Sequence, residues 1–75
     1  MKPDREKKTV NAICKALRQA RIEQGISQQR LAEMAGISRT GLRHIESLET
    51  SPTLHSLLKV ARALGVDLAQ LLERE

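Results

Sequence analysis

QQRLAEMAGISRTGLRHI, residues 28–45, holds two short amphipathic segments that meet at one glycine. Leu31, Ala32 and Ala35 share one helical face of the first segment, and Leu42 and Ile45 share one face of the second. Gly36 separates them. A tight turn between two helices needs a positive φ, which glycine takes at little cost, and Ile37 fills that turn. Ser27 and Ser38 each precede a segment by one residue, where a hydroxyl accepts from a free backbone N–H. Ala32 supplies the small side chain that two steeply crossing helices need at their approach. The pattern predicts helices over residues 28–35 and 39–47, joined as a helix-turn-helix. The outer face of the second carries Thr40, Arg43 and Ser47, flanked by Arg39 and His44. It is free of acid, and Glu46 lies at the flank, near the first helix of the chain.

Outward from this pair the sequence reads as three further helices. Residues 1–8 form a charged segment, frayed at its start, and residues 9–75 form the domain. A helix through Val10, Ile13, Leu17 and Ala20 runs to about Gln24 and ends at Gly25. Leu48 to Pro52 is a loop. Thr53 caps a helix from Leu54 to Leu64, with Leu54, Leu57, Leu58, Ala61 and Leu64 as its apolar face. That helix is expected to cover the core side of the one before it. Asp67 caps a last helix, with Gln70 spaced for a return bond. Val66, Leu68, Leu71 and Leu72 exceed the needs of a small core and mark a dimer interface. No apolar alternation of period two is present, so the fold is all-α, a compact five-helix bundle.

Composition narrows the function. A 75-residue domain buries only about 60 % of its unfolded surface, and small domains gain support from disulfides, metals or partners. Cys14 is the only cysteine, so no internal disulfide forms; it reads as a small, partly buried helix residue. His44 and His55 lack zinc spacing, so neither a metal nor another cofactor is expected, and oligomerisation is the remaining support. The free thiol, with no export signal and no membrane-length apolar run, fits a cytoplasmic protein. The net charge of +4 favours an anionic partner, but the excess sits in residues 1–21, with seven Lys or Arg against Asp4 and Glu6. Phe, Tyr and Trp are absent, which removes the stacking surfaces that single-stranded nucleic acids use. The charge reads equally as a solvated polar face; if the partner is a nucleic acid, double-stranded DNA fits better, its major groove accepting a projecting helix.

The chain resembles the XRE family, the helix-turn-helix fold of lambdoid phage repressors and Cro proteins. Arg21-Ile22-Glu23-Gln24-Gly25-Ile26-Ser27-Gln28 carries the resemblance. So do Leu31-Ala32, Gly36-Ile37-Ser38, Ile45-Glu46, Ser51-Pro52-Thr53-Leu54 and Ala63-Leu64-Gly65-Val66. The resemblance implies a homodimer on a partly palindromic operator. It implies base contacts from Arg39, Thr40 and His44, with Arg43 on a base or a phosphate; His44 on its own residues reads equally as solvated. Gln28 would contact a phosphate and brace the reading helix, and Ser38, Ser47, Thr50 and Ser51 would serve the DNA backbone. Arg21 and Glu46 would pair, joining Ala32 and Gly36 as structural positions.

Two departures stand out. Leu48 occupies a position where glycine often follows the reading helix, and Glu49-Thr50 is less basic than usual. Gly41 lies inside a helix at a cost of roughly 1 kcal/mol against alanine; close backbone approach to DNA or to the preceding helix is favoured over a tolerated defect. A catalytic role is excluded, because His44 and the serines have neither an acidic orienter nor an oxyanion motif. The alternative to a transcriptional regulator is an antitoxin, with a toxin protein as its partner.

Overall fold

The computed structural model describes residues 4–75. Five helices follow in order: α1 (Arg5–Glu23), α2 (Gln28–Ala35), α3 (Arg39–Ser47), α4 (Leu54–Leu64) and α5 (Leu68–Glu73). No strand occurs among the described residues.

Each helix starts where the sequence places an oxygen-bearing side chain. The Ser27, Ser38 and Thr53 hydroxyls accept from the N–H groups of Arg30, Gly41 and Ser56 at 3.0, 2.9 and 3.0 Å. Such caps satisfy donors that the helix cannot, worth about 1 kcal/mol each. Asp67 accepts from the Ala69 N–H at 2.9 Å. Among the described residues no side-chain bond returns from Gln70 to Asp67, so the reciprocal half of that expected cap is missing.

α1 begins inside the segment read as a separate charged start. Asp4 explains this: its carboxylate accepts from the Lys7 N–H at 3.0 Å. That bond holds the Asp4 carboxyl below its ordinary value. The fraying expected at the start of residues 1–8 falls on Met1–Pro3, outside the described residues.

The core gathers one stripe from every helix. Cys14, Leu17, Leu31, Leu42 and Val60 are fully buried, and Ile13, Ala32, Ala35, Ile45, Leu57, Ala61, Leu64 and Leu68 complete the cluster. Burying one such leucine stabilises the fold by about 2 kcal/mol. Cys14 is more than partly buried, at 1 % exposure, and desolvation pushes its thiol pKa up.

Two expectations for α4 are corrected. It lies chiefly against α2 and α1 rather than over α3. Its apolar face also begins one turn late: Leu54 is 63 % exposed, while Leu57, Val60, Ala61 and Leu64 form the buried stripe. Leu54 is the first helical residue, one turn ahead of that buried stripe.

Candidate nucleic-acid interface

The turn between α2 and α3 is built from backbone. Gly36 adopts φ 70°, ψ 35°, and its N–H donates to the carbonyls of Ala32 and Glu33. The Ile37 N–H also donates to the Ala32 carbonyl, at 3.0 Å. These bonds consume the orphan acceptors at the end of α2 and set the direction in which α3 leaves. Ala32 and Ala35 are both buried on α2, and α2 packs against α3.

α3 then divides cleanly. Leu42, Ile45 and Glu46 face inward and are buried. Arg39, Thr40, Arg43, His44 and Ser47 are all exposed. Their spacing puts them on one polar surface of about two turns. The Ser47 hydroxyl donates back to the His44 carbonyl at 3.3 Å. Thr50 and Ser51 are exposed in the following loop. Ser38 is exposed, but its oxygen is engaged as the α3 cap.

The inward face is locked by charge as well as by packing. Arg21 grips Glu46 with two parallel bonds: Nε donates to Oε2 at 2.8 Å and Nη2 to Oε1 at 3.0 Å. Arg21 Nη1 donates to the Ile26 carbonyl at 2.8 Å, tying the pair to the α1–α2 turn. Gln28 Nε2 donates to Glu46 Oε1 at 3.1 Å. Gln28 is half-buried at the start of α2, so α1, α2 and α3 meet at this single carboxylate. No buried side-chain polar atom among the described residues lacks a partner. A buried ion pair adds little net stability when it forms. Removing one partner, however, costs on the order of 3–5 kcal/mol, because the other charge is stranded.

Several participants carried no readable signal. Arg18 Nε lies 3.9 Å from Glu46 Oε1 on the solvent side. Gln24 Nε2 donates to the Leu64 carbonyl at 2.8 Å, joining the ends of α1 and α4 across 40 residues. Glu49 sits 3.8 Å from His44 Nε2, next to the polar face of α3. Only the fold brings these groups together.

Gly41 is not approached closely by α2. A Cβ there would lie 3.0 Å from the Ser38 hydroxyl, the cap of its own helix. Leu48 supplies the left-handed residue that usually falls to glycine, at φ 63°, ψ 22°. Its side chain is half-buried against the core.

Of the four apolar residues assigned to a dimer interface, Leu68 is buried in the core of this chain, at 6 % exposure. The reason is the docking of α5 on α1, which turns Leu68 inward. Val66 and Leu71 are half-buried and Leu72 is 47 % exposed. Lys7 and Lys8 are exposed on the first turns of α1. At 1.5 Å per residue, Lys7 lies about 21 Å along the helix from Arg21. No group of three or more metal-binding side chains occurs among the described residues. No described helix is long and apolar enough to cross a membrane.

Residues 17–71 match a family model described as helix-turn-helix. Curated relatives carry the same theme. The HTH-type transcriptional regulator SutR of Escherichia coli (strain K12) is 46 % identical over 50 residues, 67 % of this chain and 28 % of SutR. The control protein C.SmaI of Serratia marcescens is 38 % identical over 50 residues, 67 % of this chain and 60 % of C.SmaI. The HTH-type transcriptional regulator SinR of Bacillus subtilis (strain 168) is 38 % identical over 64 residues, 84 % of this chain and 58 % of SinR. The chain thus spans less than two thirds of the length of each of these relatives.

Proposed function

This chain belongs to the XRE-type helix-turn-helix family of DNA-binding transcriptional regulators, and we propose that it reads an operator as a homodimer, with α3 in the major groove. One observation carries the reading. The five exposed side chains of α3 form a polar, acid-free surface on a helix whose opposite face is fixed to α1 and α2 through Glu46. A rigid helix presents donors and acceptors in a fixed register, which base-edge recognition requires. Arg39 suits guanine, whose O6 and N7 accept two bonds from one guanidinium, and Thr40, Arg43 and His44 complete the reading face. Gln28 has a second amide hydrogen left after its bond to Glu46, available to a phosphate. Ser47, Thr50, Ser51 and the N-terminal side of α3 at Ser38 flank the same surface. Val66, Leu71 and Leu72 are the residues offered to a second copy, and a two-fold axis there would set the reading helices about 34 Å apart. No observation favours the antitoxin reading.

Selection of bound duplexes from a random pool tests this directly, and a palindromic consensus is the expected result. On the selected site Arg39→Ala should lose roughly 1–3 kcal/mol, and it should relax preference at one position per half-site. Equal weakening on the selected and a scrambled duplex would make Arg39 a phosphate contact instead. Sedimentation of wild type and Leu71→Asp tests the dimer. A wild type that stays monomeric at tens of micromolar, or an Asp variant that still pairs, rejects this interface.

A further inference from the structure

The acid-free surface of α3 has an acid at its edge. Glu49 is exposed in the loop after α3, and its Oε2 lies 3.8 Å from His44 Nε2. Among the described residues its carboxylate makes no hydrogen bond, so it has no visible part in holding the loop. The groove beside His44 is lined by uncharged residues, Ile37, Ser38, Thr50, Ser51 and Pro52 among them, with Glu49 next in sequence to Thr50 rather than in the lining. Glu49 is therefore a negative charge placed where DNA phosphates and bases would arrive, with His44 as its ionisable neighbour.

We propose that Glu49 is a specificity-determining residue: it orients the His44 imidazole for one base edge and lowers attraction to DNA of any sequence. The inference rests on α3 being the reading helix. Two physical arguments lead to it. First, a carboxylate 3.8 Å from Nε2 attracts that edge of the imidazole toward the loop, so the ring presents its other edge to the groove. Without the carboxylate the ring is free to turn, and the choice of base relaxes. Second, a carboxylate near the duplex repels phosphates whatever the sequence. Only a site that satisfies His44 offsets that repulsion, so the gap between correct and incorrect DNA widens.

The test compares wild type, Glu49→Gln and His44→Ala, first by selection from a random duplex pool and then by titration against the selected and a scrambled duplex. Glu49→Gln keeps the side-chain volume, and its melting temperature should match that of wild type. It should bind the scrambled duplex roughly two- to fivefold more tightly, the size of one screened like-charge contact. Its consensus should lose preference at the same single half-site position that His44→Ala loses, with other positions unchanged. An unchanged consensus for Glu49→Gln, or a loss at a position His44 does not read, overturns the proposal while leaving the functional reading intact. A wild type that selects no consensus overturns both together.

Discussion

α2 and α3 are neighbours of nearly equal length with the same kind of N-cap, yet they are held in different ways. α2 is closed at both ends by local chemistry: the Ser27 hydroxyl at its start, and Gly36 with two bonds to the Ala32 and Glu33 carbonyls at its end. Its sequence, QQRLAEMA, is made of strong helix formers. α3 has Gly41 in its first turn and ends on a left-handed leucine. A single closing bond, from the Leu48 N–H to the Ile45 carbonyl, is long at 3.4 Å. Left-handed backbone costs a side-chain-bearing residue about 1–2 kcal/mol. The helix with the outward polar face is thus the one its own sequence supports least. It owes its place to Leu42, Ile45 and above all Glu46, gripped from α1 by Arg21.

The sharpest way to break that contrast is Glu46→Ala. It strands the Arg21 guanidinium and frees Gln28, and about 3 kcal/mol of stability should go. For a domain of this size each kcal/mol moves the melting point by roughly 4–8 °C, so circular dichroism should show a fall of more than about 10 °C. A melt within a degree or two of wild type would mean that the pair is solvated and α3 self-sufficient. Gly36→Ala comes next. The turn keeps its positive φ only at a cost of roughly 1–2 kcal/mol once a Cβ is present, although nothing nearby would clash with it.

Gly41 and Ser38 form a coupled pair. Gly41→Ala alone should change stability by under about 0.5 kcal/mol, the helix-propensity gain being spent against the Ser38 hydroxyl. Made in a Ser38→Ala background, the same change should stabilise by about 1 kcal/mol, and denaturant titration of the double-mutant cycle measures the difference. Leu48→Gly should move stability least. Relief of the left-handed backbone and loss of a half-buried side chain are both about 1 kcal/mol and opposed. If Leu48→Gly instead stabilised strongly, the leucine would have been a defect rather than a compromise.

The sequence made the α2–turn–α3 unit legible because Ser27, Gly36 and Ser38 act within four residues of themselves. Where burial depends on how helices dock, local pattern failed. Leu54 has the right spacing for the α4 stripe but projects before that stripe meets α2, and Leu68 was offered to a partner when α5 had already turned it inward. The start of α1 is set by the local cap at Asp4, although the charges around it suggest a loose segment. Among the polar ties, Arg21 and Glu46 were reached through the family resemblance. So was the bracing role of Gln28, whereas the Ile26 carbonyl and Arg18 guanidinium that converge on the same pair leave no periodic trace.

Cys14 gives the molecule a clock. Its thiol is sealed in the core and desolvated, so an alkylating reagent can reach it only when α1 lifts away from its neighbours. Because the chain holds no other cysteine, mass spectrometry would count each such opening without interference. The same reaction run with a candidate operator duplex present would report how far binding slows the breathing of α1.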